Sequence, residues 1–206
     1  MLAIAGGKGG SGKTTTTLGL ARALDGRAVA VDADRDMPNL HSLADVDREP
    51  TLASLNGGGV DAVAQSVRGR DDVGILPAPR AGERRDLDAH LSRLATAETS
   101  ASILVDCSAG AGPDAAAPLR VADGVVLVSS LCAPALRDTA KTAAMARTLG
   151  TTVHGAVLTR CRVVPDAVEE LLDCPVLAAV PPADPPVLSS DGVRRAYRCA
   201  LGRVEW

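Results

Sequence analysis

The sequence predicts an α/β fold, with a mostly parallel sheet of about seven strands between two layers of helices. Short apolar runs alternate along the chain with segments that have helical spacing. Since parallel neighbours need a crossover connection, usually a helix, this alternation is typical of a parallel sheet covered on both faces. The chain has no internal repeat and no long linker, so we expect residues 1–206 to form a single domain.

Seven runs rich in Val, Ile, Leu and Ala are the predicted strands, as expected for strands buried on both faces. They are residues 2–5, 28–32, 73–76, 102–106, 125–128, 153–158 and 176–180. Helices are predicted at 16–24, 83–95, 114–121 and 134–149, from Pro165 onward, and from Asp191 or Gly192 to about Val204. Short helices are expected between Leu40 and Val67.

The composition limits the class of protein. Hydrophobic residues make up 46% of the chain but aromatic residues only 1%, with no Phe, so the core must consist of Ala, Val, Leu and Ile. The formal net charge of −3 gives no overall signal for nucleic acid or an anionic membrane. The N-terminus lacks a signal-peptide pattern and no apolar run approaches about 18 residues, so we expect a cytoplasmic protein.

The cysteines and histidines lack the spacing of metal or catalytic sites. No two cysteines form C-x-x-C, which disfavours zinc and iron–sulfur ligation, so buried thiols in a reducing compartment are expected. The histidines form no triad and are interpreted as surface or structural residues. The residues concerned are Cys107, Cys132, Cys161, Cys174, Cys199, His41, His90 and His154.

A glycine-rich segment links the first predicted strand to the first predicted helix. Residues 7–14 match the phosphate-loop pattern G-x-x-x-x-G-K-[ST] in full, and their position disfavours a mere flexible turn. The glycines let several backbone N–H groups point at one anion, and the helix N-terminus adds its positive dipole end. Lys13 is predicted to reach the β- and γ-phosphates, and Thr14 to coordinate Mg²⁺. The predicted nucleotide-binding residues here are Gly7, Lys8, Gly9, Gly10, Ser11, Gly12, Lys13, Thr14 and Thr15.

Aspartates stand at the ends of two further predicted strands, at the same edge of the sheet. Asp106 is predicted to hold Mg²⁺, Asp32 to support the metal's ligand shell, and Asp34 to orient a water at the γ-phosphate. One loop aspartate is weak evidence, but three beside a phosphate loop indicate a nucleotide–magnesium site. The Gly110 N–H is predicted to contact the γ-phosphate and to sense its loss.

With these features the chain resembles the MinD/ParA family of ATPases, which have a deviant Walker A loop, and MinD is the closer match. The family pattern K-G-G-x-G-K-[ST] appears at 8–14, the switch I pattern D-x-D-x-x-x-x-N-L at 32–40, and a switch II pattern similar to D-[SC]-P-A-G at 106–110. Residues 122–128 and 196–198 also resemble the family, so the likeness covers nearly the whole chain. It implies the three-layer fold of a P-loop NTPase.

The resemblance implies a slow, partner-stimulated, Mg²⁺-dependent ATPase that forms a homodimer around two ATP molecules. From the residues alone Lys8 could face solvent, but in the family the first lysine crosses a twofold interface to the partner's phosphates. Lys8, Lys13 and Asp34 are thus the predicted catalytic residues, and Asn39 is expected near the nucleotide. The implied role is the positioning of a division site, a chromosome or plasmid, or other cargo through an activator or adaptor protein.

Two positions depart from the family pattern. Ser108 replaces the switch II proline, and Thr159 stands where the family has an asparagine that contacts adenine. Thr159 and Arg160 are the predicted base-binding residues, since a threonine can donate and accept a hydrogen bond. The 206 residues contain no separate basic amphipathic tail of the kind that anchors MinD proteins, so membrane association is expected to be weak.

Other surfaces and functions remain as alternatives. The last helix fits either a packed terminal helix, which is favoured, or an interfacial membrane helix, and Trp206 fits an anchor or a hydrophobic plug. The candidate basic patches for DNA are Arg68/Arg70, Arg84-Arg85 and Arg194-Arg195, but acidic neighbours dilute the first two, so DNA binding is possible and not favoured. A metal-cluster carrier ATPase and a nucleotide-binding regulator with negligible turnover are the alternative functions, and the lack of C-x-x-C disfavours the former.

Overall fold

Strands of the computed structural model, which describes residues 1–55 and 59–204, form a central sheet. They are β1 (Leu2–Ala5), β2 (Ala28–Ala33), β3 (Gln65–Val67), β4 (Arg70–Leu76), β5 (Ser102–Cys107), β6 (Gly124–Ser130), β7 (Thr152–Thr159) and β8 (Val176–Val180). In the described residues the sheet has eight strands in the order β3-β4-β2-β5-β1-β6-β7-β8. Among the described strands only β3 pairs antiparallel, with β4, so the predicted mostly parallel sheet is confirmed.

Helices follow most strands and cover both faces of the sheet. They are α1 (Lys13–Ala21), α2 (Leu40–Ala44), α3 (Val60–Val63), α4 (Leu87–Thr96), α5 (Pro113–Val121), α6 (Ala133–Thr148), α7 (Ala167–Leu172) and α8 (Asp191–Leu201). Short 3-10 helices occupy Leu52–Ser54, Arg84–Asp86 and Val187–Ser189. α1, α2 and α8 pack on one face and α4 to α7 on the other, which confirms the three-layer arrangement.

Side chains of the strand β1 alternate between the two faces, as strand geometry requires. Leu2 and Ile4 belong to the apolar cluster that contains α1 and α8, whereas Ala3 and Ala5 belong to the cluster that contains α5 and α6. Ala, Val, Leu and Ile dominate the buried side chains, as the composition predicts, and Tyr197 is a large aromatic exception.

The last helix, α8, packs on the sheet and on α1. Val193, Ala196 and Tyr197 are buried, and the Tyr197 hydroxyl lies 3.3 Å from Thr16 Oγ1. The fold covers the apolar face, so the prediction of a packed helix is confirmed. In the described part of the chain, no helix is both long and apolar enough to cross a membrane. Trp206 lies outside the described residues.

The antiparallel edge strand β3 was not predicted, because residues 65–67 were expected to end a run of short helices. Three residues are too few to show the alternation that marks a strand. β3 is defined instead by its pairing with β4 across the Arg68-Gly69 turn, in which Gly69 has a φ of 73°. A two-residue turn that contains glycine was the signal available in the sequence.

The cysteines are free thiols of mixed exposure. Cys107 and Cys161 are buried and Cys174 is half-buried, but Cys132 and Cys199 are exposed. The expectation of buried thiols is therefore wrong for these two. Cys132 precedes the first turn of α6, and Cys199 lies on the outer face of α8.

Candidate nucleotide-binding site

The predicted site residues meet at the carboxyl edge of three adjacent strands. β1 pairs with β5, and β5 also pairs with β2. The register places Ile4 opposite Asp106, and Asp106 opposite Asp32. Since the glycine-rich loop begins directly after β1, both carboxylates lie where that loop leaves the sheet. Ligands of open parallel sheets bind outside this edge.

Glycine is required at two positions of the loop for different reasons. Gly12 has a φ of 97° and precedes the first turn of α1, in the left-handed region that favours glycine. A Cβ on Gly7 would lie 2.1 Å from the backbone carbonyl carbon of Asp138, so α6 leaves no room for a side chain. The Gly7 N–H donates to Thr139 Oγ1 at 3.4 Å. The helix α6 therefore packs against the phosphate loop and supports it.

The N-terminus of α1 is suited to an anion. Within the described structure no side chain caps it, and its first turn contains no acidic residue, so its first N–H groups are free for a ligand. The Lys13 side chain is 6% exposed and has no ion pair among the described residues. A nearly buried lysine that has no direct ion pair is unfavourable, and Lys13 lies at the free N-terminus of α1, so this arrangement fits a bound phosphate group.

Asp106 has the free oxygen that a metal ion would need. The residue is 1% exposed, and Oδ1 accepts a hydrogen bond from Thr17 Oγ1 at 3.4 Å. Oδ2 is buried and has no hydrogen-bond partner in the described structure. Burial, and then the charge of Asp32, raises the pKa of Asp106 to about 8, while Thr14 and Lys13 oppose the rise. An unused carboxylate oxygen near a threonine hydroxyl fits Mg²⁺.

Asp32 differs from Asp106 because both of its oxygens accept backbone N–H groups. Oδ1 accepts from Asp34 at 3.0 Å and Oδ2 from Leu40 at 3.1 Å. Burial raises the pKa of Asp32 to about 6, and the two hydrogen bonds oppose the rise. Asp32 therefore holds the loop between β2 and α2, a structural role that the sequence did not reveal. Its predicted role in the metal shell stays a prediction.

Asp34 and Ser108 organise two neighbouring loops. Asp34 Oδ1 accepts the N–H groups of Asp36 at 3.0 Å and Met37 at 3.1 Å. Ser108 Oγ accepts the Arg35 N–H at 3.0 Å and lies 3.4 Å from the Ala33 carbonyl, to which it donates. The serine that replaces the family's proline therefore ties the loop after β2 to the loop after β5.

Gly110 contacts the phosphate loop itself. Its N–H donates to the Gly6 carbonyl at 3.2 Å, and its own carbonyl accepts from Thr142 Oγ1 at 3.3 Å. The N–H that was predicted to sense the γ-phosphate is thus engaged by the loop in this structure. A role at the γ-phosphate would require that hydrogen bond to break.

Thr159 and Arg160 also contact the phosphate loop. Thr159 Oγ1 donates to the Ser11 carbonyl at 2.6 Å, and Arg160 Nη2 donates to the Gly10 carbonyl at 2.9 Å. Thr159 is the last residue of β7 and Arg160 follows it, and both were predicted to bind the nucleotide. They border a small cavity of about 130 Å³ between the loop and the segment after β8, which also includes Val180 and Pro181. The structure thus shows loop contacts for both residues.

Most of the predicted site residues line a cavity of about 690 Å³. Its lining includes Gly9, Gly10, Gly12, Lys13, Thr14, Thr15, Asp34, Asn39 and Arg160. Lys8 is exposed beside this cavity, does not line it, and has no ion pair within the described residues. Two apolar side chains at its rim, Met37 at 69% and Leu43 at 44% exposure, were not predicted. The signal in the sequence that could have identified them was the presence of apolar residues beside the switch I segment.

Strand, glycine loop and helix, together with Lys13 and a strand-end aspartate, define a nucleotide-binding site of the P-loop type. The model of the CobQ/CobB/MinD/ParA nucleotide binding domain matches residues 2–185, so the chain belongs to that family.

Proteins that are similar to this chain support its assignment to this family. An uncharacterized ATP-binding protein of Methanocaldococcus jannaschii is 34% identical over 193 residues, which is 87% of this chain and 73% of that protein. The septum site-determining protein MinD of Pyrococcus horikoshii, solved with Mg-ADP, has a TM-score of 0.80 and 26% identity, covering 97% of this chain and 93% of that one. The cell division ATPase MinD of Pyrococcus furiosus has a TM-score of 0.80 and 28% identity, covering 98% and 96%. The fold is thus that of the MinD and ParA ATPases.

Proposed function

We propose that this protein is an ATP-driven dimerisation switch that hydrolyses ATP slowly. The observation that carries the proposal is that one loop holds two lysines, the buried Lys13 and the exposed Lys8, and that neither has an ion pair within residues 1–55 and 59–204. Lys13 would bind the phosphates of its own nucleotide. Lys8 does not line its own cavity, so it is free to reach the phosphates of a second copy across a twofold axis.

Thr14 and Asp106 are the residues proposed to hold Mg²⁺, because Asp106 Oδ2 has no hydrogen-bond partner in the described part of the chain. A Mg²⁺ ion held there would supply positive charge next to the phosphates of the nucleotide. Asp34 lines the cavity and is proposed to orient the attacking water. Loss of the γ-phosphate then removes charge that attracts the partner's lysine, and the dimer weakens.

A protein surface is proposed at the rim of the nucleotide cavity. Met37 and Leu43 are apolar and exposed there, so a second copy or an activator that covers them would bury apolar area next to the nucleotide. Because the MinD protein of Pyrococcus furiosus is described as a cell division ATPase, we infer a positioning role in cell division, chromosome or plasmid partition, or placement of other cargo.

Adenine is the proposed base, and the cavity of about 130 Å³ beside Thr159 is the proposed place for it. The support is the relative named as an ATP-binding protein. Competition of ATP and GTP against a fluorescent ADP analogue measures the preference. Equal affinities for both nucleotides would contradict the assignment.

Light scattering on size-exclusion fractions tests the switch. We expect Asp34→Ala to be dimeric with Mg-ATP, because hydrolysis is blocked, and monomeric with ADP. Adding Lys8→Ala should leave the protein monomeric in both, with nucleotide affinity within about threefold because Lys8 does not line the cavity. A monomeric Asp34→Ala protein at saturating Mg-ATP would refute the dimerisation switch.

A further inference from the structure

A second cavity, of about 720 Å³, lies at the other end of α1. Its walls are the residues after α1, the tip of the β3–β4 hairpin, the 3-10 helix Val187–Ser189 and one side of α8. α1 begins at the phosphate loop and is nine residues long, which puts the two cavities at ends about 13 Å apart along the helix. The volume is in the range of small-molecule sites.

Positive charge is concentrated in this second cavity. Five arginines line it, against the two aspartates Asp25 and Asp72. The whole chain has a formal net charge of −3, so the cavity differs in sign from the protein as a whole. The arginines are Arg22, Arg68, Arg70, Arg194 and Arg198.

Two of these arginines already have carboxylate partners. Arg70 binds Asp72 through two hydrogen bonds, Nε to Oδ1 at 2.8 Å and Nη2 to Oδ2 at 2.6 Å. Arg194 forms an ion pair with Asp191. Each pair joins residues of one element, β4 or α8, so the charges of these two arginines are already compensated locally.

The other three arginines leave their charge uncompensated. Arg22 Nε is buried and has no hydrogen-bond partner in the described structure. Burial and then the nearby charge of Arg70 lower the pKa of Arg22. Arg68 and Arg198 have no ion pair within the described residues. The positive charge of these three side chains is therefore available to an anionic ligand.

We propose that this cavity is a binding site for a small phosphorylated molecule, separate from the nucleotide at the phosphate loop. Arginine forks match the oxygens of phosphate and bind them through charge-assisted hydrogen bonds. Arg22 contributes charge from the end of α1, and Arg68 and Arg198 contribute it from the hairpin and from α8. A concave site of this size encloses a small ligand, whereas a nucleic acid backbone needs an extended basic surface.

Inorganic pyrophosphate is the probe, titrated calorimetrically into protein saturated with Mg²⁺ and a fluorescent ADP analogue. The analogue reports whether the phosphate loop stays filled. The ionic strength is set to about 0.15 M, so that exposed charges are screened. The variants are Arg22→Gln and Arg198→Gln. The matched control is Arg195→Gln, because Arg195 is exposed on the same helix but does not line the cavity.

We expect saturable binding with the analogue retained, weakened about tenfold or more by Arg22→Gln and by Arg198→Gln, since each loses a charge-assisted hydrogen bond. Arg195→Gln should stay within about twofold of the wild type. Should Arg22→Gln fail to fold, the exposed Arg198→Gln carries the test alone. The proposal would be overturned by a lack of saturable binding, by displacement of the analogue, or by equal effects of all three variants. Binding of a hexaglutamate peptide but not of pyrophosphate would also overturn it.

Discussion

Replacing Thr159 by valine separates two roles for this residue, support of the phosphate loop and contact with the base. The hydroxyl donates to the Ser11 carbonyl at 2.6 Å, and a Cβ on Gly12 would lie 3.2 Å from Thr159 Cγ2. Valine keeps both branches of the side chain and removes the donor. The Ser11 carbonyl then loses this hydrogen bond, while the packing against Gly12 is retained.

The structure sets the expected magnitude. Loss of a buried hydrogen bond that leaves an acceptor unpaired costs about 1–3 kcal/mol. If about 1–2 kcal/mol of this is the cost of ordering the loop for phosphate, nucleotides bind roughly fivefold to thirtyfold more weakly. The lost hydrogen bond lies between Thr159 and the loop, so we expect ATP, ADP and GTP to weaken by the same factor. The ratio of ATP to GTP affinity should therefore not change.

Displacement of a fluorescent ADP analogue by ATP and by GTP measures both quantities for the variant. Thr152→Val is the matched control, because Thr152 is exposed at the opposite end of the same strand, β7. A loss for ATP that is about tenfold greater than the loss for GTP would show that Thr159 reads the base. An unchanged affinity for all three nucleotides would show that the hydroxyl does not order the loop.

Three further substitutions test a packing contact, a hydrogen bond and a protonation in the structure. Gly19→Ala should lower the free energy of unfolding in urea by about 1–2 kcal/mol, because the new Cβ would lie 2.3 Å from the Tyr197 ring. This loss should exceed the gain from the better helix propensity of alanine. A more stable variant would contradict the prediction. Ser108→Ala should lower stability by about 1–3 kcal/mol, because the Arg35 N–H loses its acceptor, and unchanged melting would exclude the tie between the two loops. The pKa of Asp106 is raised from 3.8 to about 8. The nucleotide-free wild type should therefore lose stability relative to Asp106→Asn as the pH rises through that range. Parallel pH profiles of stability for the two proteins would refute this.

The sequence predicted the parallel strands and the phosphate loop because both depend on local patterns. An apolar run such as 28–32 contains the information that it is a strand buried on both faces. The loop needs glycine at positions such as Gly12, where φ is positive, and lysine and threonine where the helix begins. Such requirements hold whatever the rest of the chain does.

The partners of those residues could not be predicted, because residues distant in sequence provide them. Ser108 was noted only as the replacement of a proline, yet its hydroxyl accepts the N–H of Arg35, 73 positions earlier in the chain. Thr159 was assigned to the base from a resemblance, whereas its hydroxyl contacts Ser11, 148 positions earlier in the chain. A single sequence does not state which strand ends become neighbours, and only the strand order settles these contacts.

Tyr197 links the two proposed ligand sites. Its side chain borders both the arginine-lined cavity and the small cavity beside Thr159. Gly19 of α1 has no side chain, so the ring packs directly against that helix, and the hydroxyl lies 3.3 Å from Thr16. Because one buried ring forms part of both walls, a ligand that shifts it from one side also changes the shape of the other cavity. Pyrophosphate in the arginine-lined cavity should therefore change nucleotide affinity in the wild type and do so less in Tyr197→Leu.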